Sequence, residues 1–306
     1  MRDIVVVGSL NVDVSLQGTH IPRPGETVLA KGLSIAAGGK GLNQAIGASR
    51  LGARVHIVGR VGEDRFADLP EDAMRDAGVD ASYVSRLADQ HTGTALIVVD
   101  ESTGENAIAV ASGANHALRP ADLQDAVAAF RASGVLMVQL ELALETVEAA
   151  LDLAKENTLT SVLDPAPAQE LSDSFLRKVD LITPNETEAE FLTGVRVHDV
   201  ESAAEAGSRL RERTLGDVLI TLGSAGCVWV WATGFEHVPA SRVKPVDTTG
   251  AGDAFNAGLA VGLARGEPVG RALRTALRAG TAATLRRGAA AAMPTAKELE
   301  RLPDAS

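Results

Sequence analysis

Cysteine and aromatic residues are scarce in this 306-residue chain, and both absences narrow its class. The only cysteine is Cys227, so a disulfide within the chain is excluded and a reducing, cytoplasmic compartment is expected. Its place in the apolar run 227–231 predicts a buried thiol. Aromatic residues make up 3% of the chain, which leaves Ala, Val, Leu and Gly to fill the core, as in α/β proteins with parallel sheets.

Long apolar runs and clusters of positive charge are also missing. No run approaches the roughly 18 residues that cross a membrane, and the apolar start at 4–7 is too short for a signal peptide. Lysine and arginine number 29 against 40 acidic residues, which gives a net charge of −11, and no basic run occurs. A nucleic-acid partner is therefore not expected, and small molecules are the expected ligands.

Three common ligand-binding motifs are absent from the sequence. The GKG at 39–41 is not followed by the Ser or Thr of a P-loop. The GAG at 250–252 continues to Phe255, where a dinucleotide-binding motif has a third glycine. The six histidines are scattered and form no metal-type pair, which argues against a zinc site.

What the chain does contain is an alternation of short strands and longer helices. Runs rich in Val and Ile predict buried strands at 4–7, 55–58, 135–138, 161–163, 181–183 and 218–221. Stretches rich in Ala, Leu and Glu predict helices at 43–51, 121–132, 145–156 and 202–213, and a helical pair follows at 250–265 and 268–286. This alternation predicts a mostly parallel sheet with helices on its faces.

Two regions interrupt the alternation and predict a second, smaller sheet. Residues 12–35 combine strand-like pieces with Pro and Gly, and residues 92–111 are typical of a hairpin with its turn at 100–105. Neither region fits a strand–helix unit. We therefore expect extra strands beside the main body of a single domain that spans 1–306, and a small sheet that flanks a ligand cleft often acts as a lid.

The segment VDTTGAGDAF at 246–255 carries the strongest chemical signal. Two glycines follow a strand-like piece and open a long helix, whose first N–H groups have no partner within the helix and attract an anion. Gly250, Ala251 and Gly252 can form a cradle for a transferring phosphoryl group, and Asp253 can take a proton from an attacking hydroxyl. The alternative is a plain helix start, with an acidic residue that caps the helix and glycines that turn the chain.

Two N-terminal segments predict a site for hydroxyl groups. Three glycines and Lys40 precede a helix at 37–45, which presents backbone amides, a cation and the Asn43 side chain together. Asn11 and Asp13 follow the first strand and alternate with apolar residues, so both side chains point to one face. Turn formation explains each segment equally well when it is taken alone.

Weaker signals come from acidic residues at two other strand ends. Glu141 follows the strand at 135–138, where a single carboxylate is more often without a function. Asn185 and Glu188 are three residues apart at a helix start, where an amide and a carboxylate could order the water shell of Mg²⁺. Acidic residues there also complement the helix dipole, so both explanations stay open.

Together these segments resemble the PfkB carbohydrate kinase family, and within it the ribokinases, from Gly8 to about Pro294. The resemblance implies a ribokinase-like three-layer α/β fold with a small β-sheet lid that also forms a homodimer contact. It implies transfer of the γ-phosphate of ATP to the 5-hydroxyl of D-ribose, with Mg²⁺ and usually a monovalent cation such as K⁺. A related kinase acting on deoxyribose, another sugar or a nucleoside is the alternative. A non-catalytic sugar-binding regulator and a Rossmann oxidoreductase are more distant ones.

The resemblance also implies roles for individual residues. Asp253 matches the catalytic base, and 250–252 match the anion hole. The positions that match the sugar site are Asn11, Asp13, Gly39, Lys40, Asn43, Glu141 and Asp253. Those that match the nucleotide, Mg²⁺ and phosphate site are Asn185, Glu188, Thr221, Gly223, Ser224, Gly226 and Gly252. Those that match the monovalent-cation site, several through backbone carbonyls, are Asp247, Thr249, Ala283, Arg286 and Gly288.

Two positions depart from the pattern of the ribokinases. The last position of the cation site commonly carries a serine, and here Ala292 has no hydroxyl, which leaves activation by K⁺ open. Leu277 stands where some ribokinases have a polar residue near the adenine. An apolar side chain can also pack against a base, so we expect little effect.

Overall fold

The first strand shows why a sheet lies at the centre of this molecule. Strand β1 (Asp3–Val7) is almost wholly apolar, and its residues 4–7 are buried in the computed structural model, which describes residues 1–303. Ile4 and Val6 belong to one hydrophobic core, whereas Val5 and Val7 belong to another. Because side chains alternate along a strand, both faces of the sheet must be covered, and the fold has three layers.

The strands after β1 fall into two sheets. Within residues 1–303 they are β2 (Asn11–Gly18), β3 (Gly32–Gly38), β4 (Val55–Gly62), β5 (Asp80–Leu87), β6 (Gly93–Asp100), β7 (Asn106–Ala111), β8 (Ser133–Val138), β9 (Thr160–Leu163), β10 (Leu181–Ile182), β11 (Asp217–Thr221), β12 (Cys227–Trp231) and β13 (Gly234–Val238). The central sheet has the order β13-β12-β11-β10-β9-β8-β1-β4-β5, and the small sheet has the order β3-β2-β6-β7. All pairs of the central sheet from β11 to β5 are parallel, while β12 and β13 are antiparallel at one edge. The predicted mostly parallel sheet is confirmed.

Helices cover both faces of the central sheet. The α-helices of the described chain are α1 (Lys40–Arg50), α2 (Asp68–Ala77), α3 (Val127–Ala132), α4 (Leu144–Glu156), α5 (Asp173–Leu176), α6 (Glu186–Thr193), α7 (Val200–Thr214), α8 (Ala251–Ala264), α9 (Val269–Ala283) and α10 (Ala296–Glu300). Helices α1, α2, α8, α9 and α10 pack into the core that contains Ile4 and Val6, and α3 to α7 pack into the other core. No helix among residues 1–303 is long and apolar enough to span a membrane.

Two predicted helices differ from the observed ones. The first half of the segment at 121–132 is a 3₁₀-helix (Pro120–Ala126), and only the second half is α3. Leu123 and Ala126 are both buried, and their spacing of three residues matches the three residues per turn of a 3₁₀-helix. The helix predicted to reach 286 ends at Ala283, and the N–H groups of residues 284–286 instead donate to carbonyls three residues back. The carbonyl of Thr284 accepts hydrogen bonds from the N–H groups of Val246 and Asp247.

The small sheet confirms the predicted hairpin and corrects the first of its two segments. Strands β6 and β7 pair antiparallel across 93–111, as expected. Strands β2 and β3 extend beyond the predicted 12–35, since β2 begins at Asn11 and β3 continues to Gly38. Strand β2 pairs antiparallel with β3 and parallel with β6. That this sheet moves as a lid stays a prediction.

The strand order reverses between β1 and β8. The chain first builds the sheet from β1 outward to β4 and β5, and later from β8 outward to β11 on the other side of β1. At such a reversal the loops after two neighbouring parallel strands diverge and leave a crevice beyond their carboxyl ends, where ligands bind in open α/β sheets. Here these loops begin at Gly8 and Gln139.

Candidate active site

The loops after β1 and β8 meet around one carboxylate. Glu141 Oε2 accepts a very short hydrogen bond from the hydroxyl of Ser9, and Asn11 Nδ2 lies 3.5 Å from the same oxygen. The backbone N–H of Lys40, at the start of α1, donates to that oxygen at 3.3 Å. The fold therefore brings together three predicted sugar-site residues from separate segments, Asn11, Lys40 and Glu141, and adds Ser9 to them.

Two glycines allow the close approach of these segments. Gly39 has a left-handed φ of 94°, and a Cβ there would lie 2.8 Å from the backbone N of Asn11. A Cβ on Gly38 would lie 2.2 Å from a carboxylate oxygen of Asp13, so that side chain rests directly on the Gly38 backbone. A residue other than glycine would displace the backbone at Asn11 in the first case and the side chain of Asp13 in the second, because contacts this short do not occur for real Cβ atoms.

Asp253 lies in the first turn of α8 and is held by two amides of α1. Its Oδ2 accepts a hydrogen bond from Asn43 Nδ2 at 2.8 Å, and its Oδ1 accepts one from Gln44 Nε2 at 3.1 Å. The side chain is buried, with 5% of the residue exposed. The carboxylate thus points toward α1, away from its own helix backbone, and lies among the predicted sugar-site residues.

The predicted cradle of N–H groups is shifted along α8. The N–H of Ala251 donates to the carbonyl of Thr248 at 3.2 Å, because the chain makes a tight turn in which Gly250 has a φ of 74°. In the described part of the chain, the N–H groups of Gly252 and Asp253 have no acceptor. A Cβ on Gly252 would meet no atom within 4 Å, so the backbone borders open space there. An anion would therefore be bound by Gly252 and Asp253 rather than by Ala251.

Lys40 is the single cation among the carboxylates that surround this point in the described structure. Its Nζ lies 3.8 Å from Asp164 Oδ2. Burial acts to lower the pKa of Lys40, but the charges of Asp164, Asp253 and Glu141 raise it by more, so the ammonium stays protonated. A charged lysine at this position can donate to hydroxyl or phosphate oxygens.

Three aspartates of the site have raised pKa values. Burial raises the pKa of Asp253; Lys40 opposes the rise and Asp164 adds to it. Burial likewise raises the pKa of Asp164. Burial, followed by the charges of Glu141 and Asp253, raises the pKa of Asp13 to about 6. A carboxylate whose pKa is raised in this way is a stronger base than an exposed one, as a general base requires.

A cavity of about 640 Å³ lies on the other side of the start of α8. It is lined by Thr221, Gly223, Ser224, Ala225, Gly226, Ala240, Ser241, Arg242, Val243, Pro245, Thr248, Ala251, Gly252, Phe255, Leu277, Gly280, Thr281 and Thr284. All the nucleotide-site positions predicted between 221 and 252 are among them, and so is Leu277. Sequence reasoning missed the loop at 240–245, for which no motif exists. It also missed Gly280, Thr281 and Thr284, in and just after α9, which the helical spacing from Leu277 could have indicated.

Asn185 and Glu188 form the start of α6 and do not line this cavity. The Asn185 side chain accepts from the N–H of Glu188, and Glu188 Oε2 accepts from the N–H of Asn185, both at 2.9 Å. This reciprocal capping corresponds to the simpler of the two explanations for this pair. Burial nevertheless raises the pKa of Glu188, although the hydrogen bond from Asn185 and the charge of Lys40 oppose the rise. The charges of Lys40 and Asp253 both act on this carboxylate, so it lies near the site. A role toward Mg²⁺ stays a prediction.

The predicted cation positions are only partly brought together. Asp247 accepts hydrogen bonds from the N–H and hydroxyl of Thr249 at 2.9 and 2.7 Å, and from the N–H of Gly288 at 2.9 Å. The guanidinium of Arg286 turns elsewhere and binds Glu298 at 2.7 Å and the carbonyl of Ala292 at 3.1 Å. The Ala283 carbonyl accepts the Arg286 N–H at 3.4 Å. Any contribution from 283 and 286 would therefore come from backbone oxygens.

Four polar residues of the site were not identified in the sequence. They are Ser9, Gln44, Gln139 and Asp164, and all are buried. Gln139 and Asp164 follow β8 and β9 directly, and Ser9 follows β1 after one residue, so the rule that singled out Asn11 and Glu141 could also have found them. Gln44 follows Asn43 in the first turns of α1, and only the packing of α1 against α8 shows its importance.

Comparison with known proteins identifies the family. The model of the pfkB family carbohydrate kinases matches residues 1–296. This chain belongs to the PfkB family of carbohydrate kinases. Relatives include a ribokinase of Haemophilus influenzae, 39% identical over 298 residues and 97% of both chains, and a deoxyribokinase of Salmonella typhi, 38% identical over 254 residues and 83% of both chains. The solved structure of Arabidopsis thaliana ribokinase complexed with ribose and ATP matches this PfkB kinase with a TM-score of 0.91, at 31% identity and 98% coverage of both chains.

Proposed function

We propose that this PfkB kinase transfers the γ-phosphate of ATP to the 5-hydroxyl of D-ribose, which gives ribose 5-phosphate and ADP. The observation that carries the proposal is the start of α8. There the Asp253 carboxylate faces a cluster of polar groups, and the neighbouring Gly252 borders a cavity large enough for a nucleotide. The similarity to proteins named ribokinase supports the choice of sugar and of phosphate donor.

On the acceptor side, the polar groups suit a ligand with several hydroxyls. Asp13 and Glu141 can accept hydrogen bonds from them. The backbone of Gly38 lies against Asp13, and the charge and N–H of Lys40 act on Glu141. The Oδ1 atom of Asn43 is buried and has no hydrogen-bond partner among the described residues. A buried acceptor without a partner is costly, and a sugar hydroxyl would satisfy it. Asn11, which contacts Glu141, completes this proposed sugar site.

The chemical step follows from the position of Asp253. Its carboxylate takes the proton from the 5-hydroxyl as that oxygen attacks the γ-phosphorus in line, and ADP leaves on the opposite side. The free N–H groups of Gly252 and Asp253 hold the charge that develops on the transferring group, as helix-start amides do for other anions. The carboxylate must be ionised for this role, so activity rises with pH through the raised pKa of Asp253.

On the donor side, the cavity lining suits a nucleotide. Thr221, Gly223, Ser224 and Gly226 form one wall, and Leu277 on the facing helix can pack against the base. Mg²⁺ bound with ATP would neutralise part of the negative charge of the phosphates. Glu188 fits its water shell through Oε1, which the capping hydrogen bonds leave available. Asn185 fits it through its NH₂ group and the second lone pair of Oδ1.

A monovalent cation such as K⁺ fits the loop before α8. Burial acts to raise the pKa of Asp247, but hydrogen bonds from Gly288 and Thr249 lower it by more, so this carboxylate stays anionic. Backbone carbonyls at Ala283, Arg286 and Gly288 would add oxygen ligands. Ala292 offers no hydroxyl, and its carbonyl already accepts from Arg286, so this position adds no side-chain ligand.

The small sheet provides the proposed homodimer contact. Val14 pairs with Ile35 and Leu96, and Leu16 pairs with Leu33, so all five side chains lie on one face of the sheet. Four of them are exposed, Leu33 with 63% of its surface. An apolar sheet face of this kind marks an interaction site, and a second copy of the chain would cover it. We also propose a cytoplasmic location, where ATP is available and a lone, buried Cys227 remains reduced.

The deciding experiment measures ADP release from ATP with D-ribose, 2-deoxy-D-ribose, other pentoses, hexoses and nucleosides. We expect D-ribose to give the highest kcat/KM, roughly tenfold or more above 2-deoxy-D-ribose, because a missing hydroxyl leaves buried polar groups unpaired. A higher kcat/KM for 2-deoxy-D-ribose would favour the second candidate, which the similarity to a deoxyribokinase supports. Absence of ADP release with every acceptor would refute the kinase proposal.

A further inference from the structure

Gln44 is a buried amide that contacts both buried aspartates of the site. Its residue surface is 1% exposed, and its Nε2 lies 2.9 Å from Asp164 Oδ2 and 3.1 Å from Asp253 Oδ1. Carboxylates only accept hydrogen bonds, and the two hydrogens of one NH₂ group are enough to serve both of them. A single side chain therefore links the loop after β9 to the first turn of α8.

The orientation of the Gln44 amide is fixed by a hydrogen bond to its oxygen. Gln139 Nε2 donates to Gln44 Oε1 at 2.6 Å, which leaves the NH₂ of Gln44 facing the two carboxylates. Gln139 is itself fully buried and follows β8 directly. A Cβ on Gly8 would lie 2.3 Å from Gln139 Oε1, so this amide is packed onto the backbone at the end of β1. The position of Gln44 is thereby set by the central sheet.

Resting on the proposed function, we propose that Gln44 is a positioning residue that orients the Asp253 carboxylate for proton transfer and joins it to Asp164. Gln44 holds Oδ1 of Asp253 while Asn43 holds Oδ2 at 2.8 Å, so the plane of the carboxylate is fixed. Each oxygen keeps a free lone pair, one of which receives the proton of the sugar hydroxyl. Asp164 in turn holds the ammonium of Lys40 at 3.8 Å beside the same site.

The charges around Asp253 predict the direction in which each substitution shifts the pKa of this carboxylate. Asp253 faces Lys40 on α1, Asp164 after β9, and more weakly Asp13 on β2 and Glu188 on α6. A hydrogen bond from Gln44 favours the ionised form of Asp253, whereas the negative charge of Asp164 disfavours it. Loss of the Gln44 amide and loss of the Asp164 charge should thus move the titration of Asp253 in opposite directions.

The test compares Gln44→Met, Asp164→Asn and the control Gln124→Met, which changes an exposed glutamine on the 3₁₀-helix. The pH profile of kcat/KM is measured by ADP release with ATP and D-ribose. We expect the acid limb to move up by about one pH unit in Gln44→Met and down by up to about one unit in Asp164→Asn. We also expect kcat of Gln44→Met to fall roughly tenfold or more, with the KM for ATP within about twofold of the wild type, because the base is misoriented while the cavity is intact.

A second readout needs no turnover. Protein labelled with ¹³C at the aspartate carboxyl carbons is titrated by NMR, and the Asp253 resonance is assigned by its absence in Asp253→Asn. Opposite shifts of this titration in Gln44→Met and Asp164→Asn support the proposal even if D-ribose is not the acceptor. A titration of Asp253 that is unchanged in both folded variants, or shifted in the same direction by both, overturns it. Failure of the proposed function shows separately, as absence of ADP release by the wild type.

Discussion

Replacement of Asp253 by asparagine separates the chemical role of this carboxylate from its structural role. Both oxygens of Asp253 accept hydrogen bonds, from Asn43 and Gln44. An asparagine has one such oxygen, so its NH₂ would face a donor, at a cost of about 1–3 kcal/mol. Burial raises the pKa of Asp253, so its negative charge is unfavourable in the folded protein. Removal of that charge offsets part of the cost. We therefore expect the free energy of unfolding of Asp253→Asn to fall by less than about 2 kcal/mol.

The effect on catalysis should be much larger. Loss of a general base lowers kcat by roughly 10²–10⁴, which corresponds to about 3–5 kcal/mol in activation free energy. The assay is ADP release at saturating ATP and D-ribose, with D-ribose binding measured by calorimetry. The control is Asp125→Asn, an exposed carboxylate on the 3₁₀-helix, which should retain wild-type kcat. A folded Asp253→Asn protein with kcat within about threefold of the wild type would show that the base is another group.

Three further predictions concern stability, the cation and assembly. Asp13→Asn should abolish D-ribose binding yet stabilise the free protein at pH 8 by up to about 3 kcal/mol, because the pKa of Asp13 is about 6 when folded and 3.8 when unfolded. The cost of its charge appears between these pH values and persists above them, so an equal gain at pH 4 in urea unfolding would contradict this reasoning. Ala292→Ser supplies the missing hydroxyl and should increase the stimulation of kcat by K⁺ over Na⁺, whereas the exposed Ala291→Ser should not. Leu33→Lys should convert the proposed homodimer into a monomer in sedimentation experiments, whereas Ser34→Lys, on the opposite face, should leave it intact. Equal sedimentation of the two variants would contradict a contact through this face.

The apolar pattern of the sequence was sufficient to predict six inner strands of the central sheet, but not its outer strands or every helix. Strand β1 could be predicted because burial on both faces requires a continuous apolar run, which few other structures produce. The segment at 120–126 could not be assigned correctly, since its composition suits an α-helix and only the packing of Leu123 and Ala126 selects the tighter turn. The short strand β13 and the edge strand β5 escaped notice because they are partly exposed and lack a strong apolar pattern.

The sequence by itself determined the class of fold, the glycine-rich helix starts and the identity of Asp253 as the candidate base, because these depend on local backbone demands and on residue order. The tertiary structure decided which groups surround that base. Gln44 and Asp164 lie 120 residues apart, and Gln44 and Asp253 lie 209 apart, yet they share hydrogen bonds. Contacts across such separations arise from the packing of α1 against α8 at the reversal of strand order, and no local pattern encodes them.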